Sequence, residues 1–192
     1  VVGGGASLSD QAEMLGKLLD QLGTERVTVV GQGWGGAVAL RLAQDRPDLV
    51  RQVALVAPWL GSSPEIWPPL LRLPYVSRGA AWVAASGGPI WELAHRLGFA
   101  NQAALDRELL SRMRQPTHVR GTVDALLARS LARPESLSSL DAAKVRIPVL
   151  VVAGEKDRWA SQEDVQQFAK RFPNATLLTI EDAGHYVHIE QG

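Results

Sequence analysis

The chain has 192 residues, of which 46% are hydrophobic and 21% charged, and its 20 Lys and Arg balance its 20 Asp and Glu. Balanced charge excludes a strongly basic nucleic-acid-binding surface, because phosphate binding needs an excess of positive charge. A mean hydropathy of -0.02, without an apolar run of about 18 residues, excludes a membrane span, and the absence of Cys excludes disulfides and a cysteine nucleophile.

The chain starts with Val1 and Val2, followed by three glycines, rather than with Met. No basic segment leads into an apolar stretch there, so this start does not resemble a signal peptide. We expect a mature, trimmed or fragmentary chain, and we expect its location to be cytoplasmic.

The first 58 residues predict alternating helices and strands. Ser9 and Asp10 are good N-cap residues for a helix whose apolar residues between Met14 and Leu22 recur at helical spacing. After this helix come apolar and β-branched runs that are typical of buried strands. Between them lie small apolar residues that are typical of a helix packed on a sheet. They predict a strand at 26–30, a glycine-rich turn at 31–36, a helix at 37–44 and a strand at 53–57.

Residues 59–144 have a different character, with four of the six Trp, many prolines and no comparable strand. Helices are predicted there at 105–113 and 123–131. Strand patterns return at 149–153 and 175–180, with a helix between them from Ser161, its predicted N-cap, to Phe172, and with Asp164 in its first turn. A short final helix is expected around Ile189.

Strands that alternate with helices predict an α/β fold with a parallel sheet and right-handed crossovers. We therefore expect two core segments, 1–58 and 145–192, with a helical cap at 59–144 inserted between them. Continuous apolar strands fit a sheet that is covered on both faces.

The glycine-rich turn has two interpretations. Gly31, Gly33 and Gly36 match a dinucleotide-binding fingerprint between a strand and a helix, but the next strand lacks the acidic residue expected about 20 residues later. Alternatively, Gly31 and Gly35 flank a nucleophile elbow, in which position 33 would project a Ser, Asp or Cys above the sheet.

The end of the chain favours the elbow. The strand at 149–153 runs into a turn that contains Asp157, and the strand at 175–180 runs into Ala-Gly-His with His185. A nucleophile turn, then an acid after a later strand, then a histidine after the last strand is the chain order of a hydrolytic triad on a parallel sheet.

On these segments the chain resembles the α/β-hydrolase superfamily, in its branch with a helical cap. The resemblance implies that Asp157 orients the imidazole of His185, that His185 is the general base, and that Gly33 occupies the nucleophile position. It also implies that the backbone N–H of Trp34 is an oxyanion donor. We expect no cofactor and no metal.

Gly33 is the first departure from the family pattern, because glycine has no side chain with which to form a covalent intermediate. Three explanations remain open. The nucleophile has been replaced to trap substrate, the protein is a non-catalytic binder of a ligand or partner, or the Asp157–His185 pair acts as a base without a covalent step.

The second departure is the front of the sheet. The family places strands before the one at 26–30, including the one whose loop supplies the first half of the oxyanion hole. Without them, 26–30 would be an apolar, unpaired edge, which is prone to aggregation. We expect either an incomplete sequence or a second chain or copy that completes the sheet.

Other candidate residues have plainer interpretations. His188 fits a supporting or surface role, and His95 and His118 lie in the cap without a motif around them. Asp182 is the rival acid, but its place in the loop favours a turn role. The cap tryptophans fit either packing or an apolar substrate pocket, and they are Trp59, Trp67, Trp82 and Trp91.

The sequence thus predicts a hydrolase of small apolar esters, lactones or similar substrates whose nucleophile is absent at Gly33. A non-catalytic protein that binds an apolar ligand or a partner, and His–Asp base chemistry without a covalent intermediate, are the alternatives. No nucleic-acid partner is expected.

Overall fold

The structure is a computed structural model, and it describes residues 7–60, 79, 82–83, 87–122, 124–125, 128 and 140–191. Four strands form one sheet and lie side by side in chain order. They are β1 Val27–Gly33, β2 Val50–Pro58, β3 Val149–Gly154 and β4 Ala175–Ile180. All three pairings are parallel, which confirms the predicted α/β fold class.

Helices flank this sheet. The α-helices with defined bounds are α1 Leu8–Gln21, α2 Trp34–Asp45, α3 Pro89–Gly98, α4 Arg107–Arg114, α5 Gln162–Ala169 and α6 Val187–Glu190. Short 3-10 helices lie at Gln102–Ala104, Gln115–His118 and Ala142–Lys144. In the described part of the chain, no helix has both the length and the apolar character needed to cross a membrane.

The N-cap of the first helix lies two to three residues before the predicted one. Ser7 Oγ accepts the backbone N–H of Asp10 at 3.0 Å, and the Asp10 carboxylate accepts the N–H of Ser7 at 3.4 Å. This reciprocal pair is a capping box, with Ser7 as the N-cap. The prediction of Ser9 or Asp10 as the N-cap was wrong, because Asp10 fills the third helical position of the box instead.

The main core lies between the sheet and helices α1, α2 and α5. Val53, Leu55 and Val151 in the middle strands are at most 1% exposed. Helix α2 presents small side chains such as Ala37 and Ala39 to the core, which lets its backbone approach the strands closely. That close approach is what the turn between β1 and α2 requires.

A second, smaller core connects the inserted region to the end of the chain. Its buried members are Trp91, Phe99, Leu105, Leu110 and Tyr186. Four of them come from α3 and the segment after it, and Tyr186 follows β4. This core packs part of the inserted region, from Trp91 to Leu110, against the loop that carries His185. The boundaries of the cap as a domain stay a prediction.

Strand β1 lies at one edge of the described sheet. Among the described strands it pairs only with β2, and Val30 on it is 67% exposed. An exposed apolar edge strand is a template for pairing with another strand. That a second chain or copy covers this edge stays a proposal.

Candidate active site

Three predicted site residues lie at the carboxyl ends of three strands. Gly33 is the last residue of β1, Asp157 lies in the turn after β3, and His185 lies in the loop after β4. Parallel strands present their carboxyl ends at one edge of the sheet, where ligands bind in open α/β folds. The structure therefore brings these residues together, whereas their catalytic roles stay predictions.

The turn at Gly33 is a strained elbow. Gly33 has φ 52° and ψ -119°, a left-handed conformation that favours glycine, and α2 begins at the very next residue. A Cβ atom on Gly31 would overlap the carbonyl group of Gly35 and would lie 2.6 Å from the nitrogen of Gly36. The strand and the helix can thus meet this tightly only with glycine at position 31.

A side chain at position 33 would point at His185. An ideal Cβ atom built on Gly33 lies 3.6 Å from Nε2 of His185, and apart from its chain neighbours at 32 and 34 no other atom of the described residues lies within 4 Å of it. This distance is an ordinary van der Waals contact. The elbow therefore leaves space for a small side chain beside the imidazole.

Asp157 contacts the other ring nitrogen of the imidazole. Its Oδ2 lies 3.0 Å from Nδ1 of His185, and the two side chains are 2% and 10% exposed. The second oxygen accepts the N–H groups of Trp159 at 2.8 Å and Ala160 at 3.3 Å. Because an ionised carboxylate only accepts hydrogen bonds, we assign the ring proton to Nδ1, which leaves the Nε2 lone pair facing Gly33.

Further contacts hold the histidine, and sequence reasoning missed them. The backbone N–H of His185 donates to the carbonyl of Gly98 at 2.7 Å, and the Gln32 side-chain amide donates to the carbonyl of His185 at 3.3 Å. The Trp159 ring lies 4.4 Å from the imidazole, centroid to centroid. Trp159 is only two residues beyond Asp157, which was the one signal that could have pointed to it.

Tyr186 completes the wall around the imidazole. Its ring packs edge-on to the imidazole of His185, with 5.6 Å between the centroids, and it stacks on Phe99 at 4.6 Å. Burial raises the pKa of the Tyr186 phenol to about 12, so the ring stays neutral and contributes apolar surface here.

The other histidines have different surroundings. Partial burial lowers the pKa of His188, and charge repulsion from His185 lowers it further. The His95 ring packs at a tilt against that of Trp91, with 4.0 Å between the centroids, and His95 contacts the Trp91 carbonyl through Nδ1 at 2.8 Å. Burial lowers the pKa of His95, and that backbone contact partly opposes the effect. His118 ends an exposed 3-10 helix.

The rival acid pairs with a lysine instead. Asp182 forms an ion pair with Lys156, and its side chain is 72% exposed. The hydrogen bond from Lys156 lowers the pKa of this carboxyl group. Asp157, and not Asp182, is thus the carboxylate that contacts His185.

The predicted oxyanion donor begins helix α2. Trp34 follows Gly33 directly, so its N–H lies at the positive end of the helix dipole. Its indole N–H donates to Gln11 on α1 at 3.1 Å, and its ring lies 5.3 Å from that of Trp59. The Trp59 backbone N–H donates to the carbonyl of Gly33 at 3.2 Å, which places Trp59 beside the elbow.

The remaining tryptophans are dispersed. Trp91 is buried in the second core, whereas Trp82 is 63% exposed, and Trp67 lies outside the described residues. The pocket-lining role of the four cap tryptophans stays a prediction. Across the ranges that the structure covers, no three His, Asp or Glu side chains converge in a way that could hold a metal ion.

Comparison with known proteins relates the chain to enzymes. The RutD protein of Caulobacter sp. (strain K31), named provisionally as a carbamate hydrolase, is 32% identical over 174 residues, which are 88% of this chain and 62% of that protein. The (R)-3-hydroxydecanoyl-ACP:CoA transacylase of Pseudomonas putida is 26% identical over 96% of this chain and 61% of its own length. The chain thus spans about three fifths of these two relatives.

A solved structure shows the same arrangement of elements. Est816, described as an N-acyl homoserine lactone degrading enzyme, superposes with a TM-score of 0.72 at 26% identity, over 98% of this chain and 71% of Est816. The sequence model described as alpha/beta hydrolase fold matches residues 5–191. This chain belongs to the alpha/beta hydrolase fold family.

Proposed function

We propose that this chain carries the site of a hydrolase of small apolar esters, lactones or similar substrates, with Gly33 in place of the nucleophile. The main support is the position of His185 relative to Gly33. A Cβ atom at position 33 would lie 3.6 Å from Nε2 of His185, whose Nδ1 contacts the buried carboxylate of Asp157 at 3.0 Å. The acid and the base of a triad are therefore assembled around a position that has no side chain.

The proposed roles follow from the hydrogen bonds. Asp157 holds the imidazole in the tautomer whose Nε2 accepts a proton, and it stabilises the imidazolium that forms when His185 acts as a base. The N–H of Trp34 would stabilise negative charge that develops on a substrate oxygen at the start of α2. With glycine at position 33, no acyl-enzyme can form, so the unmodified chain would bind its substrate without the covalent step.

The substrate class rests on chemistry shared by the relatives. Their names refer to a lactone, an acyl transfer and a carbamate, each of which involves attack on a carbonyl carbon. The aromatic surfaces of Trp159 and Trp59 beside the site favour an apolar group next to that carbonyl. The activity and substrate of the whole protein are part of this proposal.

Base chemistry without a covalent step is the second candidate function. The space beside Nε2 of His185 that Gly33 leaves open would admit a water molecule or a substrate hydroxyl group. His185 would then abstract a proton from that group directly. Turnover by the unmodified chain that disappears in His185→Ala supports this candidate, whereas thermal stabilisation by a ligand without turnover supports a non-catalytic binder.

We expect Gly33→Ser to hydrolyse short-chain p-nitrophenyl esters at least about 100-fold faster than Gly33→Ala, because only the serine variant regains a nucleophile within reach of the base. Both variants bear the same backbone strain at φ 52°, so Gly33→Ala is the matched control. The measurement is the initial rate of p-nitrophenol release. Equal rates in the two folded variants would overturn the proposal.

A further inference from the structure

One carboxylate joins two distant segments beside the candidate site. Glu190, on helix α6, accepts the backbone N–H of Gly184 through Oε1 at 2.8 Å. Its Oε2 accepts the N–H groups of Ala100 at 2.8 Å and Asn101 at 2.9 Å. Gly184 immediately precedes His185, whereas Ala100 and Asn101 follow α3 in the inserted region.

The two segments are in direct backbone contact. The N–H of His185 donates to the carbonyl of Gly98 at 2.7 Å. A Cβ atom on Gly184 would overlap that same carbonyl oxygen and would lie 2.6 Å from the nitrogen of Ala100. Glycine at position 184 therefore allows the two segments to approach each other closely. We call this contact the junction, and the hydrogen bonds of Glu190 and His185 stabilise it.

A carboxylate suits this junction better than a neutral acceptor. Three backbone N–H groups converge on its two oxygens, and hydrogen bonds to an ionised acceptor are roughly twice as strong as neutral ones. A glutamine at position 190 would keep one accepting oxygen, but it would turn an amide N–H₂ donor toward N–H groups that are themselves donors. The geometry of the junction thus depends on the negative charge of Glu190 and on both of its carboxylate oxygens.

We propose that Glu190 is a positioning residue, which holds His185 over Gly33 by tying the 184–185 loop to residues 98–101. It acts through the backbone of Gly184 and contacts no reacting atom. These hydrogen bonds fix the position of the imidazole relative to both Asp157 and position 33. That position matters because misplacing a catalytic group by about 1 Å can lower the rate about 100-fold. The effect of Glu190 on catalysis rests on the proposed function, whereas the hydrogen bonds that join the two segments do not.

The first test measures the His185–Asp157 hydrogen bond in the unmodified chain. We expect the Nδ1 proton resonance of His185, followed by NMR, to shift or broaden in Glu190→Gln and to be unchanged in Glu181→Gln. Glu181 lies exposed in the loop that follows β4, so its substitution removes the same charge without touching the junction. An unchanged resonance in a folded Glu190→Gln would overturn the proposal.

The second test uses the Gly33→Ser background. We expect Glu190→Gln to lower kcat for p-nitrophenyl acetate by about 10-fold or more with a smaller change in KM, since it displaces the base rather than the binding surface. Glu190→Asp keeps the charge and provides a milder variant if Glu190→Gln does not fold. An unchanged resonance in the folded Glu190 variant overturns the proposal, and an unchanged kcat overturns its catalytic part. If Gly33→Ser itself is inactive, the proposed function fails, and the resonance still decides the role of Glu190.

Discussion

In the Gly33→Ser variant, replacing His185 by alanine is expected to lower kcat for p-nitrophenyl esters by about 1,000-fold or more. The reason is the placement of the imidazole, whose Nε2 lies 3.6 Å from the Cβ position of residue 33 and is the only base that the described residues offer there. Without it, the introduced hydroxyl group keeps its proton and is a weak nucleophile. Initial-rate measurements across substrate concentrations check the result.

Asp157→Asn tests the same pair from its other end. An asparagine can turn its amide N–H₂ toward Nδ1, which favours the wrong tautomer of His185, so we expect a loss of about 100-fold or more in kcat. Because the two residues act as one unit, the double variant should lose little more than His185→Ala alone. His188→Ala, three residues from the base, is the control and should retain activity. Additive losses, or an equal loss in His188→Ala, would contradict these roles.

The second large effect concerns the stability of the elbow. We expect Gly31→Ala to lower the free energy of unfolding by about 3 kcal/mol or more, because the added methyl group overlaps backbone atoms that cannot rotate away. A Cβ on Gly31 meets Gly35 and Gly36, whereas a Cβ on Gly35 meets no atom of the described residues within 4 Å outside its chain neighbours and the backbone of its own helix. Chemical denaturation followed by circular dichroism measures the difference.

Gly35→Ala provides the matched control for this prediction. Gly35 lies in the first turn of α2, where replacing glycine by alanine is expected to stabilise the helix by about 0.5–1 kcal/mol. The two substitutions add the same methyl group within one elbow, so they separate steric overlap from helix propensity. Equal effects of both substitutions would show that the tight approach of β1 and α2 does not limit stability.

The arrangement of the candidate site could be predicted because it depends on chain order and strand direction. Parallel strands place their carboxyl ends together, so a glycine elbow after β1, an acid after β3 and a histidine after β4 were expected to meet. The structure brings Asp157 and His185 within hydrogen-bonding distance. The predicted strand at 175–180 matches β4 exactly in its bounds.

Boundaries were harder to predict, because backbone pairing extends beyond the apolar run. Strand β1 continues through the glycines to Gly33, and β2 spans Val50–Pro58 rather than 53–57. In both cases the neighbouring strand supplies hydrogen-bond partners to residues whose side chains give no strand signal. At the start of α1, the reciprocal Ser7–Asp10 bonds similarly override the propensities of Ser9 and Asp10 for the N-cap position.

The support around the histidine could not be predicted from local patterns. Glu190 and Trp159 act through contacts with residues distant in the chain, such as Ala100 and His185. Glu190 has no spacing or motif that marks such a role in a single sequence, and the one signal for Trp159 is its place two residues after Asp157. Only the folded backbone shows that a carboxylate near the end of the chain binds the N–H groups of the inserted region.

If Gly33 occupies a nucleophile position beside an intact base, a serine placed there should react with a fluorophosphonate, which phosphonylates an activated serine hydroxyl. The experiment treats Gly33→Ser with this reagent and measures the mass of the intact protein and of its peptides. We expect one adduct at position 33 that is absent from the unmodified chain, from Gly33→Ala and from the variant that also carries His185→Ala. A folded Gly33→Ser that gains no adduct, or that is labelled equally without His185, would show that position 33 is not a nucleophile position activated by His185.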